Sequence, residues 1–154
     1  MPSQIKVDEI KNVAGQYKIK TDTFQGQTTA GSIAVQGEGT ATTNLQQGLT
    51  KMWVQHNDGA SVADSFNVGS TTDNGTGDYS HSFTNNMRAS SNYAMSGLAL
   101  AINDKATFIN GNSGNVEFTA SSFRYQTGYV ANTSGAQTNH DCNATSPVVN
   151  GDLA

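Results

Sequence analysis

The segment Lys51–Ser96, KMWVQHNDGASVADSFNVGSTTDNGTGDYSHSFTNNMRASSNYAMS, decides the fold class. Val62, Asp64, Phe66 and Val68 take alternate positions of one run, and Tyr79, His81 and Phe83 alternate positions of another. Between them lies the glycine-rich stretch Asp73-Asn74-Gly75-Thr76-Gly77-Asp78. A period of two gives each run one face to bury, and Asn74-Gly75 supplies residues that tolerate the positive φ of a tight reversal. A β-hairpin is therefore predicted, with strands over 62–68 and 79–83. Just upstream, Met52 and Val54 face one way and Trp53 the other. Trp53 is the only tryptophan, and its burial is expected to anchor one end of the core. The expected core anchors are Trp53, Phe66, Val68, Tyr79 and Phe83.

Downstream of the hairpin, Tyr93 and Met95 keep the alternation. Gly97 interrupts it, and Leu98, Leu100 and Ile102 resume on the opposite parity, which reads as a bulge at Gly97. Further short strands are expected at Phe108–Ile109, Val116–Phe118 and Phe123–Thr127, then a polar loop over 132–146 and a last strand within 147–154. Asn44, with Leu45 and Leu49 four apart, predicts one or two helical turns. Short strands at turn spacings of roughly eight to twelve residues indicate an all-β fold, an antiparallel β-sandwich or jelly-roll-like domain. That domain is expected over 44–154, with an extended N-terminal arm over 1–43. In the arm the apolar residues come in small groups, Ile5, Val7 and Ile10, then Tyr17 and Ile19, then Ile33 and Val35, each too small to build a core. Such an arm either lays short strands on other surfaces or folds back onto its own domain.

Composition narrows the function classes. A chain of 154 residues, 13% charged, with net charge −4 and no cluster of Lys or Arg, lacks the concentrated positive charge that nucleic acid requires. No apolar stretch approaches about 18 residues, so membrane insertion is not expected, and the opening MPSQIKVDEI has no export pattern, which points to synthesis in a cytoplasm. Cys142, the single cysteine, has no internal disulfide partner; with His140 it is expected near the surface. His140, Asp141 and Cys142 are adjacent, yet neighbours in an extended loop point different ways and do not converge as zinc ligands must. His81 shares a predicted strand face with Tyr79 and Phe83 and reads as a packed core histidine, unless three copies meet on an axis to hold an ion. Asp64, Asp73, Asp78, Asp104 and Glu117 offer carboxylates for glycoside hydrolysis, but acids at Asp-Gly and Asn-Gly turns are also conformational choices. With no nucleophile elbow, phosphate loop or Ser-His-Asp constellation, neither an enzyme nor a cofactor is expected.

The string from Trp53 through Asp58-Gly59, Val62-Ala63-Asp64-Ser65-Phe66-Asn67-Val68, Thr72 to Tyr79, Phe83-Thr84-Asn85 and Asn92-Tyr93 resembles a module of tail-fibre and other surface-appendage proteins of tailed bacteriophages, particularly marine ones. The opening Ile5-Lys6-Val7-Asp8-Glu9-Ile10 and the ending Gly151-Asp152-Leu153-Ala154 are similar to such chains as well. The resemblance implies a β-rich structural domain, usually trimeric, on the virion surface, with capsid or tail proteins and its own copies as partners. The arm would then attach the protein, with Ile5, Val7, Ile10, Tyr17 and Ile19 as virion contacts. A second expectation is a module binding host-surface glycans through polar loops and Tyr17, Tyr125 or Tyr129; a small hydrolase is the foil.

Overall fold

From Thr50 to His56 the chain sends Met52, Val54 and His56 inward while Trp53 and Gln55 stay outside. This period of two recurs through a chain that, among the described residues, is nearly all β. The computed structural model describes residues 22–24, 33–36, 40–100, 106–110, 117–131 and 134–154. In order these form β1 (Ala34–Gln36), β2 (Thr42–Asn44), the single turn of helix α1 (Leu45–Gly48), β3 (Thr50–His56), β4 (Val62–Phe66), β5 (Val68–Gly75), β6 (Asp78–Phe83), β7 (Tyr93–Leu100), β8 (Ala106–Asn110), β9 (Ser122–Val130), β10 (Gln137–Asn139) and β11 (Ala144–Gly151).

The strands make three antiparallel sheets. β1 and β2 form a small pair; β4-β3-β11-β7 form a four-stranded sheet; β5-β6-β9 continue to β10, with β8 also paired to β9. Met52, Val54 and Val149 from the second sheet and Tyr79, Phe83, Phe123 and Tyr125 from the third, with Met87, form one buried cluster. Phe123 stacks on Phe83 and on Tyr125, with ring centroids 5.6 and 5.7 Å apart. Burying each such side chain contributes roughly 1.5–3 kcal/mol, so this cluster is the main apolar stabilisation of the fold.

The expected hairpin is present, but its first strand is shorter than the alternation suggested. The run 62–68 breaks at Asn67, whose φ of 58° is the left-handed conformation that asparagine tolerates better than most residues. Its amide side chain donates to Lys51 O and Asn85 O and accepts from Asn85 N, holding the chain as it leaves β4 for β5 in the other sheet. The hairpin proper is β5–β6, turning through Gly75 (φ 130°) and Gly77 (φ 64°) rather than through Asn74.

That crossover corrects two core anchors. Tyr79 and Phe83 lie in the core and Val68 packs against it, whereas Phe66 sits opposite Trp53 on the outer face of the four-stranded sheet. Trp53 is 36% exposed and Phe66 53%, because both take the parity opposite to Met52 and Val54. Gly97 is likewise no bulge: β7 and β11 pair without interruption from Leu100↔Ala144 to Tyr93↔Gly151. A Cβ at Gly97 would point inward, 2.9 Å from the Ile109 side chain, so glycine keeps the inner parity and Leu98 and Leu100 face out.

At the N-terminal side, Leu45 N–H donates to Ile33 O, and Asn44 Oδ1 accepts the Gln47 N–H to cap α1. The boundary expected between 43 and 44 therefore falls inside β2. Ile5, Val7, Ile10, Tyr17 and Ile19 lie outside the described residues, as does Ile102. Within the expected 132–146 loop the chain forms β10 and begins β11, and Phe118 makes only an isolated bridge with Phe123.

Candidate functional site

Three features have the chemistry or the surface for a role. The first is a hydrogen-bonded chain in the interior. His56 arrives on the inward parity of β3, His81 on that of β6 and Tyr125 on that of β9, and all three are buried. His56 Nδ1 lies 2.8 Å from Asn57 O, which only accepts, so Nδ1 carries the proton. His56 Nε2 then accepts from Tyr125 Oη at 2.6 Å. With its proton so placed, Tyr125 Oη accepts from His81 Nε2 at 3.1 Å, and His81 Nδ1 accepts from Thr71 Oγ1 at 2.9 Å. One tautomer of each imidazole satisfies the whole chain, and both rings are neutral.

Burial holds His56 below the usual imidazole range and, with the neighbouring His56, pushes His81 down to about 3. Tyr125 is pushed well above the usual phenol range by burial first, then by Tyr79 and Cys142. Tyr79 is raised by burial and by Asp141, and its hydroxyl donates to Asp58 O and Asp141 Oδ1. The sequence offered one usable signal for His56, its parity with Met52 and Val54. His81 is fully enclosed, which corrects the idea of three copies sharing an ion on an axis.

The second feature is a cleft of ≈ 270 Å³ at the end of β3, with polar walls from Gln55, Asn57, Ser61 and Asn143. Its lining includes no carboxylate, and both ring nitrogens of His56, in its wall, are engaged. The described candidate acids do not line this cleft. Asp78 holds Arg124 in a bidentate pair at 2.7 Å; Asp73 accepts from Gly75 N; Asp64 accepts from Ser65 N on the outer face; Glu117 is exposed; Asp104 lies outside the described residues. Arg124 is held above its ordinary value by the hydrogen bonds to Asp78.

His140, Asp141 and Cys142 diverge. His140 meets the Tyr129 ring edge-on, Asp141 turns to Gly77 and Tyr79, and Cys142 is buried, which corrects its expected place near the surface. Burial raises the Cys142 thiol, so it is a poor nucleophile. Among the described residues no group of three His, Cys, Asp or Glu is placed to hold a metal ion. Tyr125 cannot stack on a glycan from the core, and Tyr129 is half-buried; Tyr17 lies outside the described residues.

The third feature is the outer face of β4-β3-β11-β7. Register places Phe66 beside Trp53, Trp53 beside Val148 and Val148 beside Ser96; one step along, Leu98 lies beside Ser146, and at the end Leu100 beside Ala144. Leu98 and Leu100 are 65% and 58% exposed. No protein-family model matches the chain, and comparison with curated proteins and with solved structures returned no match. No helix among the described residues is long and apolar enough to cross a membrane.

Proposed function

We propose that this chain is a non-enzymatic structural protein of a tailed-bacteriophage virion, a short oligomeric surface appendage of the capsid-decoration or short tail-fibre type. In this reading the two larger sheets form a β-sandwich domain, copies assemble as a homotrimer, and residues 1–43 attach it to capsid or tail proteins. The observation that carries it is the contrast between inside and outside. The strongest acid–base groups of the interior, His56, His81, Tyr79 and Tyr125, are all engaged in hydrogen bonds, while large apolar side chains stand on an outer sheet face. Such an arrangement suits a surface that is covered by protein rather than one that turns over a substrate. The sequence resemblance supplies the virion.

Immunogold labelling of purified particles with antibody to this chain tests the reading. Label on the capsid or tail surface is the expected result, and particles that stay bare while disrupted infected cells label strongly would overturn it.

A glycan-binding module is the second reading, favoured by the polar cleft near the aromatic pair Trp53 and Phe66. A glycan array of the full chain decides it, blank spots removing it.

A further inference from the structure

We infer that the Asp58-Gly59 pair at the β3–β4 turn is a site of spontaneous covalent modification, where the carboxyl of Asp58 closes on the Gly59 nitrogen and reopens as isoaspartate. This does not depend on the virion reading. Asp58 and Gly59 are exposed and lie between β3 and β4, and the Gly59 N–H points to two side-chain oxygens, Asp58 Oδ1 at 2.9 Å and Asn57 Oδ1 at 3.1 Å. The first contact keeps the attacking nitrogen beside the carboxyl carbon that it attacks, the positioning that speeds an intramolecular reaction. Gly59 has no side chain to stand in the way. The nearest non-neighbouring atom that a Cβ there would meet is Asn57 Oδ1, at 3.8 Å.

The chemistry balances with water alone. The Gly59 nitrogen bonds to Asp58 Cγ, the carboxyl C–O bond breaks, and the amide proton leaves with the hydroxyl as water, giving a cyclic imide. Water then adds to one of the two imide carbonyls. Addition at the side-chain carbonyl restores aspartate. Addition at the main-chain carbonyl breaks its bond to nitrogen, so that the chain runs on through Cβ and Cγ and the former main-chain carbonyl becomes a free carboxylate. That carbonyl oxygen accepts the Tyr79 hydroxyl at 2.8 Å, which polarises it toward attack. The product puts a second carboxylate on a phenol that Asp141 already engages, and lengthens a turn closed by Asn57 N–H on Ser61 O and Ala60 N–H on Asn57 O.

By sequence alone the asparagine–glycine pairs would react first, because a carboxylate is a poorer electrophile than a neutral amide. The fold reverses that order. Gly75 N–H is held by Asp73 Oδ1 at 2.9 Å, and Asn74 Nδ2 is drawn across to Ser80 Oγ at 2.7 Å. Asn150 and Gly151 lie within β11, paired to Ala94 and Tyr93 of β7, and a Cβ at Gly151 would stand 2.2 Å from Asn92 O, so ring closure there needs the sheet to open. Asp64 Oδ1 also meets the next nitrogen, that of Ser65, at 2.8 Å, but Ser65 carries a side chain and both residues are held in β4. Gly111, after Asn110, lies outside the described residues.

The test incubates the full-length protein for weeks near pH 7 and about 37 °C in water enriched in heavy oxygen, both folded and in urea. Label and isoaspartate at each site are read by peptide mass spectrometry after digestion in ordinary water. In the folded protein label at Asp58 should exceed that at Asn74, Asn150 and Asp64; in urea Asn74 and Asn150 should overtake it. Folding should leave Asp58 within about threefold of its unfolded rate and slow both asparagines at least about tenfold. Gly59→Ala, at a position without positive φ and with room for a methyl, should keep the native melting temperature and cut isoaspartate at 58 at least about tenfold. Asn74 or Asn150 reacting as fast as Asp58 in the folded protein overturns the inference, as does a slowing of Asp58 by about tenfold on folding or an unchanged rate in Gly59→Ala.

Discussion

Tyr125 Oη meets His56 Nε2 at 2.6 Å, joining the inner face of one sheet to the inner face of the other. The same oxygen accepts from His81, so one buried phenol satisfies two buried imidazoles. Tyr125→Phe keeps the ring in its stack and removes that oxygen, leaving two buried nitrogens unpaired. A loss of about 2–4 kcal/mol is expected, since an orphaned buried polar group costs roughly 1–3 kcal/mol. Urea denaturation near pH 7.5 measures it.

Acid should undo the same region. Both histidines have folded values below their ordinary 6.5, so the unfolded chain binds protons that the folded one refuses. Stability contributed by the neutral rings is present above about pH 6.5 and is lost as pH falls toward 3, at up to about 1.4 kcal/mol per pH unit for each ring. Asp73 lies near enough to favour the charged form of His56, which narrows its share, while Tyr79, Asp141 and Cys142 complete the surroundings of the chain. Urea midpoints at pH 7.5, 5.5 and 4.5 should fall in that order, with a shallower slope for His81→Phe. A flat profile over that range would mean that the rings are solvated.

Much of this was legible in the sequence, and the failures have physical causes. Period-two patterning gives the strand content and the inward parity of Tyr79, His81 and Phe83, because alternation is a property of the extended chain itself. It does not reveal which face is inward when both are apolar. Trp53 and Phe66 look like core residues on any hydrophobicity scale, and only the pairing of β4 with β3, fixed by the crossover at Asn67, turns them out. Gly97 misled for the related reason that a glycine can replace an inward side chain where Ile109 already fills the space. The His56–Tyr125–His81 chain joins residues up to 69 positions apart, beyond the reach of local patterning.

Thr145 marks a place where the fold can be improved. Its hydroxyl is buried on the inner face of β11 and, among the described residues, is the one buried side-chain polar atom without a hydrogen-bond partner. Thr145→Val keeps the branched shape and removes the unmet group, so a gain of about 1 kcal/mol is expected. A rise of several degrees in melting temperature would bear this out, and a fall would mean that the hydroxyl has a partner.

Gly77 is the opposite case. Its φ of 64° disfavours any side chain, and a Cβ there would stand 2.3 Å from Thr127 O and 2.7 Å from His140 N, both backbone atoms that cannot step aside. Gly77→Ala should cost more than about 2 kcal/mol, whereas Gly75→Ala, with φ 130° but open space around it, should cost less. Equal costs at the two positions would show that backbone strain alone, and not the close approach of β9, governs the turn.

The proposal that this chain is a structural protein of a phage virion is tested most directly by quantitative mass spectrometry of phage particles purified from infected cells that produce the chain. The protein should be retained through density-gradient purification at a fixed copy number per particle, a few tens for a tail fibre and hundreds for capsid decoration. Peptides abundant in the infected lysate but lost from the purified particles would contradict it.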